Sequence, residues 1–151
     1  MRTLIVGTTP PPGGQAAREL AAIAAARTLA GDQVEVLSPD PRSAAHHTGN
    51  LGSVLLPFRL ALLAPRFDAL VVRIEPGLPF GSTAGRLLRG VTLMSLGWVV
   101  GMFDEVTLRL DSPIALPGGV GGRATSDLWR RATVIVVANE HDRQQLAHGF
   151  A

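Results

Sequence analysis

The chain is predicted to be an α/β protein: a parallel sheet of about five strands with helices on both faces. Three observations predict it. Short apolar runs of strand length recur along the chain, among them LIV, FDALVVRI, EVTLRL and TVIVVA. They are nearly continuous, as in strands buried on both sides. Longer stretches with helix start and stop residues lie between them. The two kinds alternate, which favours parallel strands joined by crossover helices.

Composition sets the outer bounds. With 151 residues the chain makes one domain of ordinary size with a real core. Hydrophobic residues are 46% and charged residues 17%, which excludes a disordered chain. All 14 basic residues are arginine, against 12 acids, so the net charge is only +2. The high pI near 10.9 follows from the lack of Lys, Tyr and Cys to titrate at intermediate pH. No basic run exceeds Arg130-Arg131, so nucleic acid is not an expected partner. Without cysteine there are no disulfides or thiolate metal sites. The preference for Ala, Gly, Pro and Arg fits a GC-rich bacterial genome. No signal peptide is visible, and Gly90 to Phe103, the longest mostly apolar stretch, is too short and glycine-broken to span a membrane. A cytoplasmic location is expected.

The elements follow in order. Thr3 to Gly7 is a short strand. A proline-stiffened loop ends in Gly13 and Gly14, and a helix runs from Gln15 to Ala30, stopped by Gly31. Leu20, Ile23 and Leu29 are expected to share roughly one face of it. Gln33 to Ser38 is the second strand, flanked by Pro39 and Pro41. Residues 39–52 read as a polar loop, with His46-His47 solvated rather than binding metal. Ser53 to Pro65 is a helix, kinked or begun near Pro57. It is read as buried, with a membrane-surface helix as the alternative. Phe67 to Ile74 is the third strand. Ser82 caps a long helix to about Met102 that is apolar on most sides. Core is the first reading of that helix, and a self-association face the second. Glu105 to Leu110 is the fourth strand. A helix holding Leu128, Trp129 and Arg130 follows, then the fifth strand, Thr133 to Ala138. Asn139 caps a last helix from Glu140 to His148, ended by Gly149.

Candidate site residues gather where such sheets bind ligands, beyond the strand C-termini. The strand–glycine loop–helix unit at residues 3–30 leaves free N–H groups at a helix start, where the dipole favours an anion. Pro10, Pro11 and Pro12 donate nothing, so Gly13, Gly14 and Gln15 would form the cradle. The loop is neither GxGxxG nor a P-loop, and taken alone it reads first as a rigid turn that leads the chain into a helix, with the anion cradle second. Glu75 follows the third strand and Asp111 the fourth. A second glycine cluster fills residues 117–122 before Arg123. Glu75 and Asp111 read as polar groups of a pocket or as loop-bracing carboxylates. Arg123 reads as a phosphate contact or a solvated arginine. Glu140 and Asp142 suit the dipole of the last helix without a catalytic role.

Two stretches together resemble the N-terminal domain of family 4 glycosyltransferases: PPPGGQAARELAAIAAARTLAGDQVEVLS and WRRATVIVVANEHDRQQLAHGF. In that family a Pro–Gly-Gly loop starts the first helix, and a helix–strand–short helix ends the domain. The order and spacing fit nearly the whole chain. The resemblance implies the acceptor-side, Rossmann-like half of a two-domain GT-B fold, with Gly13-Gly14 facing the donor diphosphate and no metal or other cofactor required. The nucleotide sugar would be held mostly by a second domain, which this chain does not include. Where the family commonly has His-Asp, this chain has Leu110-Asp111. Asp111 matches as the catalytic position, but leucine cannot relay a proton.

These readings lead to an acceptor-binding half of a nucleotide-sugar-dependent transferase, needing a C-terminal GT-B domain or subunit for activity. The alternatives are a non-catalytic Rossmann-like interaction module and a small nucleotide-binding domain acting alone. Homo-oligomerisation through the apolar 87–103 helix and peripheral membrane contact are the other partner readings.

Overall fold

The computed structural model describes residues 1–7, 10, 14–38, 42–48, 55–74, 94–110 and 127–150. Among the described residues six strands form one sheet: β1 (Arg2–Val6), β2 (Gln33–Ser38), β3 (His47–Thr48), β4 (Ala69–Ile74), β5 (Glu105–Leu110) and β6 (Val134–Val137). Their order is β3-β2-β1-β4-β5-β6, and every pairing is parallel. The helices are α1 (Gly14–Leu29), α2 (Leu56–Leu63), α3 (residues 94–100), α4 (residues 127–130) and α5 (Glu140–Phe150). A 3-10 turn, Ala64–Arg66, follows α2. The fold is Rossmann-like α/β. The strand order reverses between β1 and β4, the switch point where such sheets open a crevice.

Burial divides the helices unevenly between the two faces. One face packs Leu4, Val6, Leu70, Val72, Val106 and Leu108 against α2, α3 and α4. Leu146 of α5 joins the same cluster. The other face packs Ile5, Val36 and Val71 against Leu20, with Ile23 and Ala24 beside them. Among the described residues, α1 is the helix on that second face. It is tied down at both ends. Near its start Arg73 of β4 donates to the Ala16 carbonyl at 2.7 Å. In its last turn Arg27 reaches Asp32 at 3.5 Å and Glu105 of β5 at 3.2 Å.

The sheet side of α1 differs from expectation. Leu29 is 89% exposed, while Ala17 and Leu20 are buried. Leu29 lies nine residues after Leu20, and at 100° per residue that is half a turn round the helix. Alanine at position 17 lets α1 sit close to the strands. Gly7 completes the approach, because a Cβ there would stand 2.6 Å from Leu20 Cδ2.

Helix α2 begins at Leu56, with Pro57 in its first turn, where a missing N–H costs nothing. Leu56, Leu60 and Leu63 face the core, while Phe58 and Leu62 are exposed. In α3 the expected core role holds for Leu96, Val99 and Val100, whereas Met94 and Trp98 are exposed, Trp98 by 68%. The expected helix start at Ser82 lies outside the described residues. Asn139 caps α5 as expected, its Oδ1 accepting the Asp142 N–H at 2.9 Å. The helix continues through Gly149 to Phe150 rather than stopping at the glycine.

The histidine segment is not a solvated loop. His47 opens β3, and its Nε2 lies 2.5 Å from Glu35 Oε2 on β2. His46 Nδ1 accepts the Val36 N–H at 3.1 Å. The two side chains close the outer edge of β2 where a longer strand would otherwise be needed.

Candidate functional site

The C-terminal edge of the sheet positions the candidate groups. The chain leaves β1 at Gly7 with φ +154°, a conformation side chains rarely adopt. Its N–H donates to the Leu37 carbonyl at 3.0 Å, so the turn is fastened to β2. Pro10 is held from outside, its carbonyl accepting the Ala44 N–H at 3.1 Å. Helix α1 then starts at Gly14, whose φ of +60° lies in the left-handed region. No atom stands within 4 Å of where a Cβ would be, so open space faces this backbone. Gln15 is exposed and donates through Nε2 to Glu19 Oε1 at 3.1 Å. Gly13, Glu75, Asp111, Arg123 and the 117–122 glycines lie outside the described residues. Ile74 and Leu110, which precede Glu75 and Asp111, are register partners on β4 and β5.

Two arginines share this edge. Arg73 and Arg109 each stand one residue before the end of their strand, and they are register partners. Side chains alternate along a strand. Val106, Leu108 and Leu110 enter the core on one face of β5, so Glu105, Thr107 and Arg109 occupy the α1 face. Arg73 is largely committed: it bonds Ala16 and lies 3.9 Å from Glu19 Oε2. Arg109 is not. Its Nε is buried and has no hydrogen-bond partner. A cavity of about 300 Å³ lies against it, lined by Glu19, Arg109, Leu110, Val136, Val137 and Ala138. The first turns of α1 therefore border both the Gly14 backbone and this cavity.

Sequence reasoning missed Arg73, Arg109 and Glu19. The signal was present: VVRI and TLRL each carry an arginine as the penultimate residue of an otherwise apolar ending. A charge inside such a run needs a partner or a ligand, because its burial is costly.

Other ionisable groups have different surroundings. Asp142, in the first turn of α5, is only 5% exposed, and neither carboxylate oxygen has a hydrogen-bond partner. The hydrogen bond from Arg143 holds the Glu140 carboxyl below its ordinary range. The hydrogen bond from His47 lowers Glu35 in the same way, with burial opposing. A second cavity, about 220 Å³, is lined by Arg2, Gln33, Glu35, Arg66 and Phe67 at the opposite, N-terminal edge. Among the described residues no group of three or more acidic or histidine side chains is placed to hold a metal. No helix among them is long and apolar enough to cross a membrane.

No protein-family model matches the chain, and comparison with curated proteins finds no match either. Geometry and sequence pattern alone carry the reading of the site.

Proposed function

We propose that the chain is the acceptor-side domain of a nucleotide-sugar-dependent glycosyltransferase of the GT-B type, acting with a second Rossmann-like domain or subunit. The observation that supports this reading is Gly14. It starts α1 at the C-terminal edge with φ +60° and open space before its backbone. A helix start so exposed suits a diphosphate. In the reaction the bond from the sugar's anomeric carbon to the diphosphate oxygen breaks, and the nucleoside diphosphate leaves with the electron pair. A bond to an acceptor hydroxyl oxygen forms, and that hydroxyl's proton passes to a carboxylate. Asp111 is the residue assigned to take it; Gly13, Glu75 and Arg123 complete the proposed site.

The second reading is a non-catalytic interaction module. It is favoured by the exposed apolar side chains Met94, Trp98 and Met102 along α3 and its end.

Native mass after gentle capture from its own cells separates the two. A stoichiometric second chain with a strand–helix alternating pattern, and glycosyl transfer by the pair, are expected for the transferase. In that pair Gly14→Asn tests the loop. Asparagine tolerates the left-handed conformation while filling the open space. Loss of transfer by at least tenfold with the fold intact is expected, and full activity would remove Gly14 from the mechanism. A homodimer without transferase activity would favour the interaction module.

A further inference from the structure

We propose that the cavity between β5, β6 and the first turns of α1 is an oxyanion-binding site anchored by Arg109. Its occupant is the phosphate or carboxylate group of a small ligand. The proposal does not depend on glycosyl transfer.

The chemistry follows from what Arg109 offers and lacks. A guanidinium carries five N–H donors, no acceptor, and a permanent charge. Its Nε is buried without a hydrogen-bond partner. A buried donor left unsatisfied costs about 1–3 kcal/mol. The complement is an acceptor with negative charge, and the planar fork matches two oxygens of a carboxylate or phosphate. A metal cation is excluded by the same charge.

The neighbours decide the balance. Arg73 stands opposite Arg109 on β4, roughly 4.8 Å away across the ladder. Glu19 borders the cavity and would repel an anion. It is held along α1 by Gln15 at 3.1 Å, and its charge faces Arg73 at 3.9 Å. Arg73 thus offsets Glu19, and the charge of Arg109 is left over. The cavity, about 300 Å³, holds roughly ten times the liquid volume of one water. That accommodates an oxyanion and a small organic body. Leu110 at the end of β5 and Val136, Val137 and Ala138 at the end of β6 form the remaining wall, so the ligand would lie at the sheet's C-terminal edge, where ligands of parallel sheets bind.

The test uses the full chain and two probes, inorganic phosphate and acetate. The arginine Nε–H resonances are followed by proton–nitrogen NMR during titration. The Arg109 resonance, assigned by its loss in Arg109→Gln, is expected to shift saturably with at least one probe. The probe that saturates at lower concentration identifies the ligand class. Arg109→Gln is expected to weaken that binding at least tenfold, measured by calorimetry. Arg66→Gln removes the same charge at the opposite edge and is expected to change it less than twofold. If Arg109→Gln does not fold, Arg109→Lys replaces it, with binding weakened at least threefold by loss of the fork. The wild-type resonance is then assigned through its backbone. An Arg109 resonance unmoved by both anions overturns the proposal. So does an Arg66 variant that weakens binding as much as the Arg109 variant.

Discussion

Two constraints meet at Gly7: its φ of +154° and Leu20 Cδ2 at 2.6 Å from where a Cβ would stand. Leu20 is itself 1% exposed and wedged with Ile5, Val36 and Val71, so its tip has little room to retreat. Gly7→Ala is therefore expected to cost about 1–3 kcal/mol, from backbone strain and repacking together. Urea unfolding measures it. Gly14 has the conformational constraint without the steric one, since nothing lies within 4 Å of its absent Cβ. Gly14→Ala should accordingly cost less than Gly7→Ala in the same experiment. The sequence did not separate these two glycines. Both precede or open a helix in the same loop, and only the packing of Leu20 onto β1 distinguishes them.

Among the elements, β5 was legible to the residue because EVTLRL is a short run of strand length closed by Asp111, and its observed bounds are Glu105–Leu110. Strand β3 was not legible. Two residues carry no periodicity, and what holds them is the long-range contact of His47 with Glu35. Leu29 misled for a different reason: an alanine-rich helix gives few bulky residues to define its buried stripe, and Ala17 does that work unseen. The Arg73–Arg109 pairing needed the strand register, which a sequence does not print. The β2–β3 edge makes a pH prediction. The His47 hydrogen bond holds the folded Glu35 carboxyl below its ordinary value of 4.5. As pH falls the unfolded chain binds this proton first, so the contribution is full above about 4.5 and is lost as pH drops through the lower folded value. Thermal midpoints of the native chain should exceed those of Glu35→Gln near neutrality. The two curves should converge in acid. A constant gap across that range would show that the bond does not govern this edge.

At the scale of the whole molecule, the described helices divide unequally between the two faces of the sheet. Among the described residues, helices α2 to α5 share one face, while α1 lies over the middle strands of the other. The polar side chains Glu105, Thr107 and Arg109 on β5 lie on the α1 face, where Arg27 of α1 pairs with Glu105. The oxyanion site lies on the same side, bordered by Glu19 of α1. Among the described residues, strand β6 closes the order of strands and is paired on one side, by β5. Its sequence, VIVV, is uncharged and β-branched, and Val134 is 47% exposed. Such a margin is a template on which a second chain can be laid, as fibrils grow by adding strands to a bare rim. Arg130-Arg131 before it and Glu140 after it act as charged gatekeepers at either end. The consequence concerns storage rather than catalysis: in concentrated or high-salt solution, where those charges are screened, the protein should aggregate from this rim first. Val134→Lys, a charge at the exposed start of the strand and outside the lining of the Arg109 cavity, should slow that aggregation, followed by light scattering.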